Sequence, residues 1–65
     1  MSELTVTKVI REDDRTLLYG HPKWDDYHII AEPDVDVKVG DTVDYDPEGY
    51  NFGWFRGVAG EQGKG

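Results

Sequence analysis

Four aromatic residues fall within six positions: Tyr50, Phe52, Trp54 and Phe55 in the run GYNFGWF. In an extended strand Phe52 and Trp54 share one face, while Gly53 and Phe55 share the other. Rings of this kind have two uses. A small barrel needs its large side chains inside, which assigns Phe52, Trp54 and Tyr45 to the core. Exposed rings can instead stack nucleobases, at roughly 1–3 kcal/mol per base and with little regard for sequence. A stacking platform would use Tyr19, Trp24, Tyr50 and either Trp54 or Phe55. Lys8, Arg11, Lys23, Lys38 and Arg56 are the cations able to line a groove beside it. The ligand-contacting set expected on this reading is Tyr19, Lys23, Trp24, Tyr50, Phe52, Trp54 and Arg56.

The segment His21-Pro22-Lys23-Trp24-Asp25-Asp26-Tyr27-His28 is a second constellation. If its flanking strands form a hairpin, the two imidazoles lie nearly opposite each other and two carboxylates hang at the loop tip. Two histidines and a carboxylate can hold a transition metal. The spacing fits no zinc signature and supplies no fourth ligand, so solvated cross-strand histidines are the expectation, with no metal and no cofactor.

Catalytic chemistry finds little to work with. There is no cysteine. The lone serine, Ser2, sits where a frayed terminus is expected, so neither a Ser-His-Asp nor a Cys-His arrangement assembles. A filled small barrel gives carboxylates no deep cleft in which to shift their pKa values. Gly49 and Gly53 flank aromatics and not a helix start, so no phosphate loop is present. The expectation is a non-enzymatic chain.

The elements that position these residues must come from 65 residues, enough for one domain of marginal stability. Without disulfides the core rests on Leu4, Val6, Val9, Ile10, Leu17, Leu18, Ile29, Ile30, Val43 and the aromatics. No apolar run approaches the roughly 20 residues of a membrane span, and no signal-peptide pattern is visible, so a cytoplasmic monomer is expected. Fourteen acidic residues, nine of them Asp, face seven basic ones, for a net charge of −7. The acids are spread along the chain. They serve solubility in ordinary salt. They also resemble the coats of halophilic proteins, because at about 1 M salt the Debye length falls to roughly 3 Å and self-repulsion costs little.

Strand patterns dominate. Leu4 to Arg11 is rich in Thr, Val and Ile, with Leu4, Val6 and Ile10 in one parity, and Lys8-Val9 breaks the alternation as a bulge would. Thr16 to His21 reads as a second strand with Gly20 at a bulge or close approach. Tyr27 to Glu32 reads as a third, Thr42 to Asp46 as a fourth and Phe52 to Val58 as a fifth. Asp34 to Val39 could form a short arm into the Gly40-Asp41 turn. Pro47-Glu48-Gly49 is a strong turn signal. No 11-residue window carries a helical period. Five short strands with regular turns predict an all-β, five-stranded antiparallel barrel over residues 1–58, with a flexible glycine-rich tail over 59–65.

Residues 38–58, KVGDTVDYDPEGYNFGWFRGV, resemble the barrels of the oligonucleotide/oligosaccharide-binding (OB) fold, in which a Gly-Asp turn introduces a V-x-Y/F-x strand. GYNFGWF is similar to the glycine-aromatic strand of cold-shock domains. In those domains that strand lies near the N-terminus and follows a basic residue, whereas here it is C-terminal and follows Glu48. Gly-Asp-x-Val also introduces strands in Src-homology-3-like barrels. The OB resemblance implies a small binding module for single-stranded nucleic acid, RNA foremost, that works by aromatic stacking. The alternative is a protein-protein interaction module, in which Trp24 beside Asp25-Asp26 would suit a basic peptide.

Overall fold

The computed structural model describes residues 2–59. They form strand, turn and loop, with no helix among them. Six strands build one curled, half-barrel sheet: β1 (Ser2–Thr5), β2 (Lys8–Arg11), β3 (Thr16–Tyr19), β4 (His28–Ala31), β5 (Thr42–Pro47) and β6 (Phe52–Val58). Their spatial order is β1-β5-β6-β4-β3-β2. The two end strands are therefore neighbours in sequence, joined by Val6-Thr7 alone.

That junction explains why six strands appear where five are expected. At Val6 the chain changes partners. Val6 N donates to Asp41 O and Gly40 N donates to Val6 O, whereas Thr7 N donates to Tyr19 O. The run from 2 to 11 thus pairs with β5 on one side and β3 on the other. The corner shifts the side-chain parity by one residue. Leu4 and Val6 point into the core and Val9 packs against it, so Ile10 turns outward, against the simple alternation. Gly20 makes the corner possible. A Cβ there would run into the carbonyl oxygen of Thr5, and its φ of 154° disfavours any side chain.

Ser2 is not frayed. It pairs with Tyr45 as the first residue of β1. β3 and β4 are shorter than the sequence suggests, but β6 spans Phe52–Val58 as expected. The 34–39 segment forms no strand. It is a loop that buries Val37 and closes on a turn in which Lys38 N donates to Asp41 Oδ2 at 3.2 Å. The sheet is not wholly antiparallel, since β4 and β6 run parallel, with His28 opposite Phe52 and Ile30 opposite Trp54. A parallel neighbour needs a long return path, and here that path is the loop, β5 and the tight turn before β6. The hairpin β5–β6 carries a register shift at Asp44/Tyr45. The shift lets Phe55 and Val58, three apart, both pack on the core.

The inner face holds Leu4, Val6, Leu18, Tyr27, Ile29, Ala31, Val37, Val43 and Tyr45, all buried. Leu18, Ile29 and Val43 are fully sealed. Burying about 25 cal/mol per Å2 of apolar surface is the main driving force of so small a domain, and these side chains supply it. Ala59 is still held, its N–H donating to Thr42 O at 2.8 Å. The remainder of the expected glycine-rich tail, 60–65, lies outside the described residues, as does residue 1. No helix among the described residues is long and apolar enough to cross a membrane.

Candidate nucleic-acid interface

Strand parity places a second set of large side chains on the outer face. In β3 and β4, Thr16, Leu18, Ile29 and Ala31 are buried while Leu17, Tyr19, His28 and Ile30 are only half-buried. In β6 Gly53 is buried, while Phe52 is half-buried and Trp54 is 44% exposed. The registers align these outward residues into two rows across four strands. One row reads Lys8, Tyr19, His28, Phe52 from β2 to β6, and the other reads Ile10, Leu17, Ile30, Trp54.

The first row is a chain of ring contacts. Lys8 Nζ lies 5.4 Å from the Tyr19 ring centroid, a cation–π distance. Tyr19 and His28 are 5.8 Å apart, and His28 and Phe52 are 6.3 Å apart and nearly parallel at 24°. Phe52 meets Trp54 edge to face at 5.8 Å and 88°. These spacings are those of favourable aromatic pairs. His28 is oriented from below: its Nδ1 lies 3.1 Å from the carbonyl oxygen of Asp26. A carbonyl only accepts, so Nδ1 carries the proton and Nε2 faces away from that bond. Phe52 is seated by the turn, since Glu48 N and Gly49 N both donate to its carbonyl at 3.1 Å. A Cβ on Gly49 would come within 2.6 Å of the Phe52 ring.

Of the rings expected in the core, only Tyr45 is buried there. Phe52 and Trp54 lie on the outer face because Gly53, between them, takes the inward position. A Cβ at Gly53 would sit 2.7 Å from Asp46 O and 2.8 Å from Tyr27 Oη, so only glycine lets Tyr27 and Tyr45 close over it. Phe55 packs against the core and belongs to no platform. Ile10, Leu17 and Ile30, expected inside, are also on the outer face.

The expected ligand set divides. Tyr19 and Phe52 share the first row, and Trp54, from the second, joins them through its edge contact with Phe52. Trp24 and Tyr50 do not. They line a separate concavity at one end of the sheet, together with Tyr27 and Tyr45. Lys23 is exposed on the loop between β3 and β4. Arg56 stands beside the row on β6, with Nε 3.4 Å from Asp46 Oδ2. Of the other cations considered, Lys8 joins the row. Arg11 is spent on structure, bonding Pro33 O and Val37 O, and Lys38 pairs with Asp41 at 3.8 Å. Arg15, which the sequence did not single out, borders a groove with Ile30, Trp54 and Arg56. Its guanidinium forks onto Asp14 and holds that carboxyl below its usual range.

His21 and His28 are not brought together as a ligand pair. His21 Nδ1 accepts from Lys23 N at 3.0 Å and from Trp24 N at 3.3 Å, and its ring stacks on Trp24 at 4.6 Å. His28 belongs to the aromatic row. Among the described residues no three His, Cys, Asp or Glu side chains gather as metal ligands would.

His28, Ile10, Leu17 and Ile30 are the residues of this face that motif reading missed. Pairing parity could have found them: once Ile29 is inward, His28 and Ile30 must be outward, and a β3–β4 hairpin sets His28 opposite Tyr19. No protein family, curated protein or solved structure matches this chain.

Proposed function

We propose that this chain is a non-enzymatic binding module of OB type that takes single-stranded nucleic acid, RNA foremost, on its outer sheet face. The observation that carries this reading is the continuous ring chain Tyr19–His28–Phe52–Trp54. Successive rings 5.8–6.3 Å apart offer stacking surfaces at intervals suited to splayed bases. The topology supports the OB type. If β1 and β2 are one bent strand, five strands remain, and a partly open five-stranded barrel that binds oligonucleotides on its sheet face is the OB architecture. The parallel β4–β6 pair fits it too.

Charge shapes the affinity. Lys8, Arg15 and Arg56 are the cations that border the face, and two of them are paired with carboxylates. Few phosphates would be neutralised, so stacking carries most of the binding. With about one phosphate neutralised, affinity should fall only about threefold between 50 and 200 mM salt. An acidic coat of this kind is suited to concentrated salt, where counterion release helps every protein less.

Titrating single-stranded RNA and DNA oligonucleotides against tryptophan fluorescence at low and high salt tests the proposal. Saturable quenching with a shallow salt slope supports it. No quenching at either salt overturns it.

A second reading rests on the other row. Ile10, Leu17, Ile30 and Trp54 form an apolar stripe that a protein partner could cover. A partner captured through Trp54 with no response to RNA would favour it.

A further inference from the structure

The concavity lined by Trp24 and Tyr50 is distinct in construction from the sheet face. The loop between β3 and β4 and the turn between β5 and β6 meet at one end of the sheet, tied by His28 N donating to Asn51 O at 3.0 Å. Between them lies an open pocket of about 760 Å3. Tyr27 and Tyr45 form its floor, both buried and 5.7 Å apart. Trp24, 52% exposed, stands at 6.3 Å from Tyr27 as one wall. His21 braces it, stacked on Trp24 and 4.7 Å from Tyr27. Tyr50 borders the opening and is 99% exposed. Two nearly sealed rings therefore floor an open space that Trp24 and the solvent-exposed Tyr50 border.

Its charge is one-sided. Asp26 is the acidic residue of its lining, and among the described residues no Lys or Arg lines the pocket. The chain around it carries a net −7. Ring faces are the negative part of the aromatic quadrupole, so rings plus a carboxylate disfavour anions and attract cations. The kind of cation follows from what is lacking. A bare ammonium is strongly hydrated and needs several acceptors to replace its water, and a guanidinium gains most from a bidentate carboxylate, of which the lining has Asp26 alone. A methylated ammonium needs neither, because its charge is spread over methyl groups that pack on ring faces.

We infer that this pocket binds a quaternary or highly methylated ammonium group, held by Trp24, Tyr27, Tyr45 and Tyr50 and drawn in by Asp26. The group could be presented by a small free cation or by a methylated lysine side chain. The shared chemistry is the trimethylammonium head.

The two tryptophans make the test direct, because each lies in a different region and each has its own indole N–H resonance. The full chain is titrated with choline and, separately, with its neutral isostere 3,3-dimethylbutan-1-ol. Choline is expected to move the Trp24 indole resonance saturably and leave Trp54 in place, while the isostere moves neither. Tyr50→Ala, whose exposed ring cannot hold up the fold, should weaken choline binding roughly 2- to 30-fold. Asp26→Asn should weaken it too, more at low salt than at high salt. A peptide carrying trimethyllysine is compared with the same peptide unmethylated. Tighter binding than choline, lost without the methyl groups, points to a protein-borne ligand, and parity with choline points to a free one. Equal shifts from the neutral isostere, or no Trp24 shift up to the solubility limit of choline, would overturn the inference.

Discussion

The aromatic row on the sheet and the pocket at its end are made from near neighbours in sequence by different means. Phe52 and Tyr50 are two residues apart, yet Phe52 stands in the row and Tyr50 borders the pocket. Every ring of the row sits on a strand, so its spacing is set by β-register and by Gly53 taking the inward position. The pocket joins two core tyrosines to two residues of exposed loops, Trp24 and Tyr50. The geometry of the row is therefore fixed by strand pairing, and that of the pocket by where two loops meet. Their charges differ as well. The row ends in Lys8, whereas the pocket contains Asp26 and no lysine or arginine among the described residues. The proposed anionic chain and the proposed cation are each matched to the charge of their own region.

Gly53 is where the two regions meet, and replacing it should have the largest effect. In Gly53→Ala the new methyl collides with Asp46 O and Tyr27 Oη, and backbone on one side cannot give way. A loss of up to about 3 kcal/mol is expected, roughly 10 °C or more in Tm for a domain of this size. Thermal unfolding followed by circular dichroism measures it. An unchanged Tm would mean that the floor of the pocket and the back of the row are not packed together there.

Phe52→Ala comes next. It removes the ring that links His28 to Trp54 and should weaken oligonucleotide binding roughly 5- to 150-fold. Choline binding should not change. Tyr50→Ala is the reciprocal variant: it should leave oligonucleotide affinity as it was while weakening choline binding. If Tyr50→Ala harms oligonucleotide binding as much as Phe52→Ala does, the two regions act as one surface and the comparison fails.

Tyr27→Phe probes the pocket floor with a smaller effect. Tyr27 Oη is buried without a hydrogen-bond partner among the described residues, and burial raises its pKa above the ordinary 10.0. Removing an unpaired buried hydroxyl should stabilise the fold by up to about 1 kcal/mol. The pH dependence has a fixed sign. A phenol whose pKa is higher folded than unfolded contributes fully below pH 10 and loses that contribution as pH climbs through the raised value. Native Tm should therefore fall above pH 10, and Tyr27→Phe should fall less. An equal fall in both would place the titrating group elsewhere.

The strand content was legible because turn signals and β-branched residues agree along this chain, and β6 is where alternation, the Pro47-Gly49 turn and the aromatics coincide. The break in alternation at Lys8-Val9 and the close approach at Gly20 were legible, but not the form they take: a corner at Val6-Thr7 where Gly20 lies against Thr5, which depends on a residue distant in sequence. Nor was the parallel β4–β6 pair, since local pattern carries no strand direction. For the same reason the aromatics could be counted but not sorted. Tyr19, Phe52 and Trp54 belong together only once β3, β4 and β6 are adjacent, and His28 enters the row only through that adjacency.

The central claim is that the sheet face, and not the end pocket, takes single-stranded nucleic acid. Titrating the isotope-labelled chain with a short single-stranded RNA while following both indole N–H resonances tests it most directly. Saturable movement of Trp54, with Trp24 unmoved, is the result the two-region account predicts. An RNA that moves Trp24 while Trp54 stays still, or that moves neither, would contradict it.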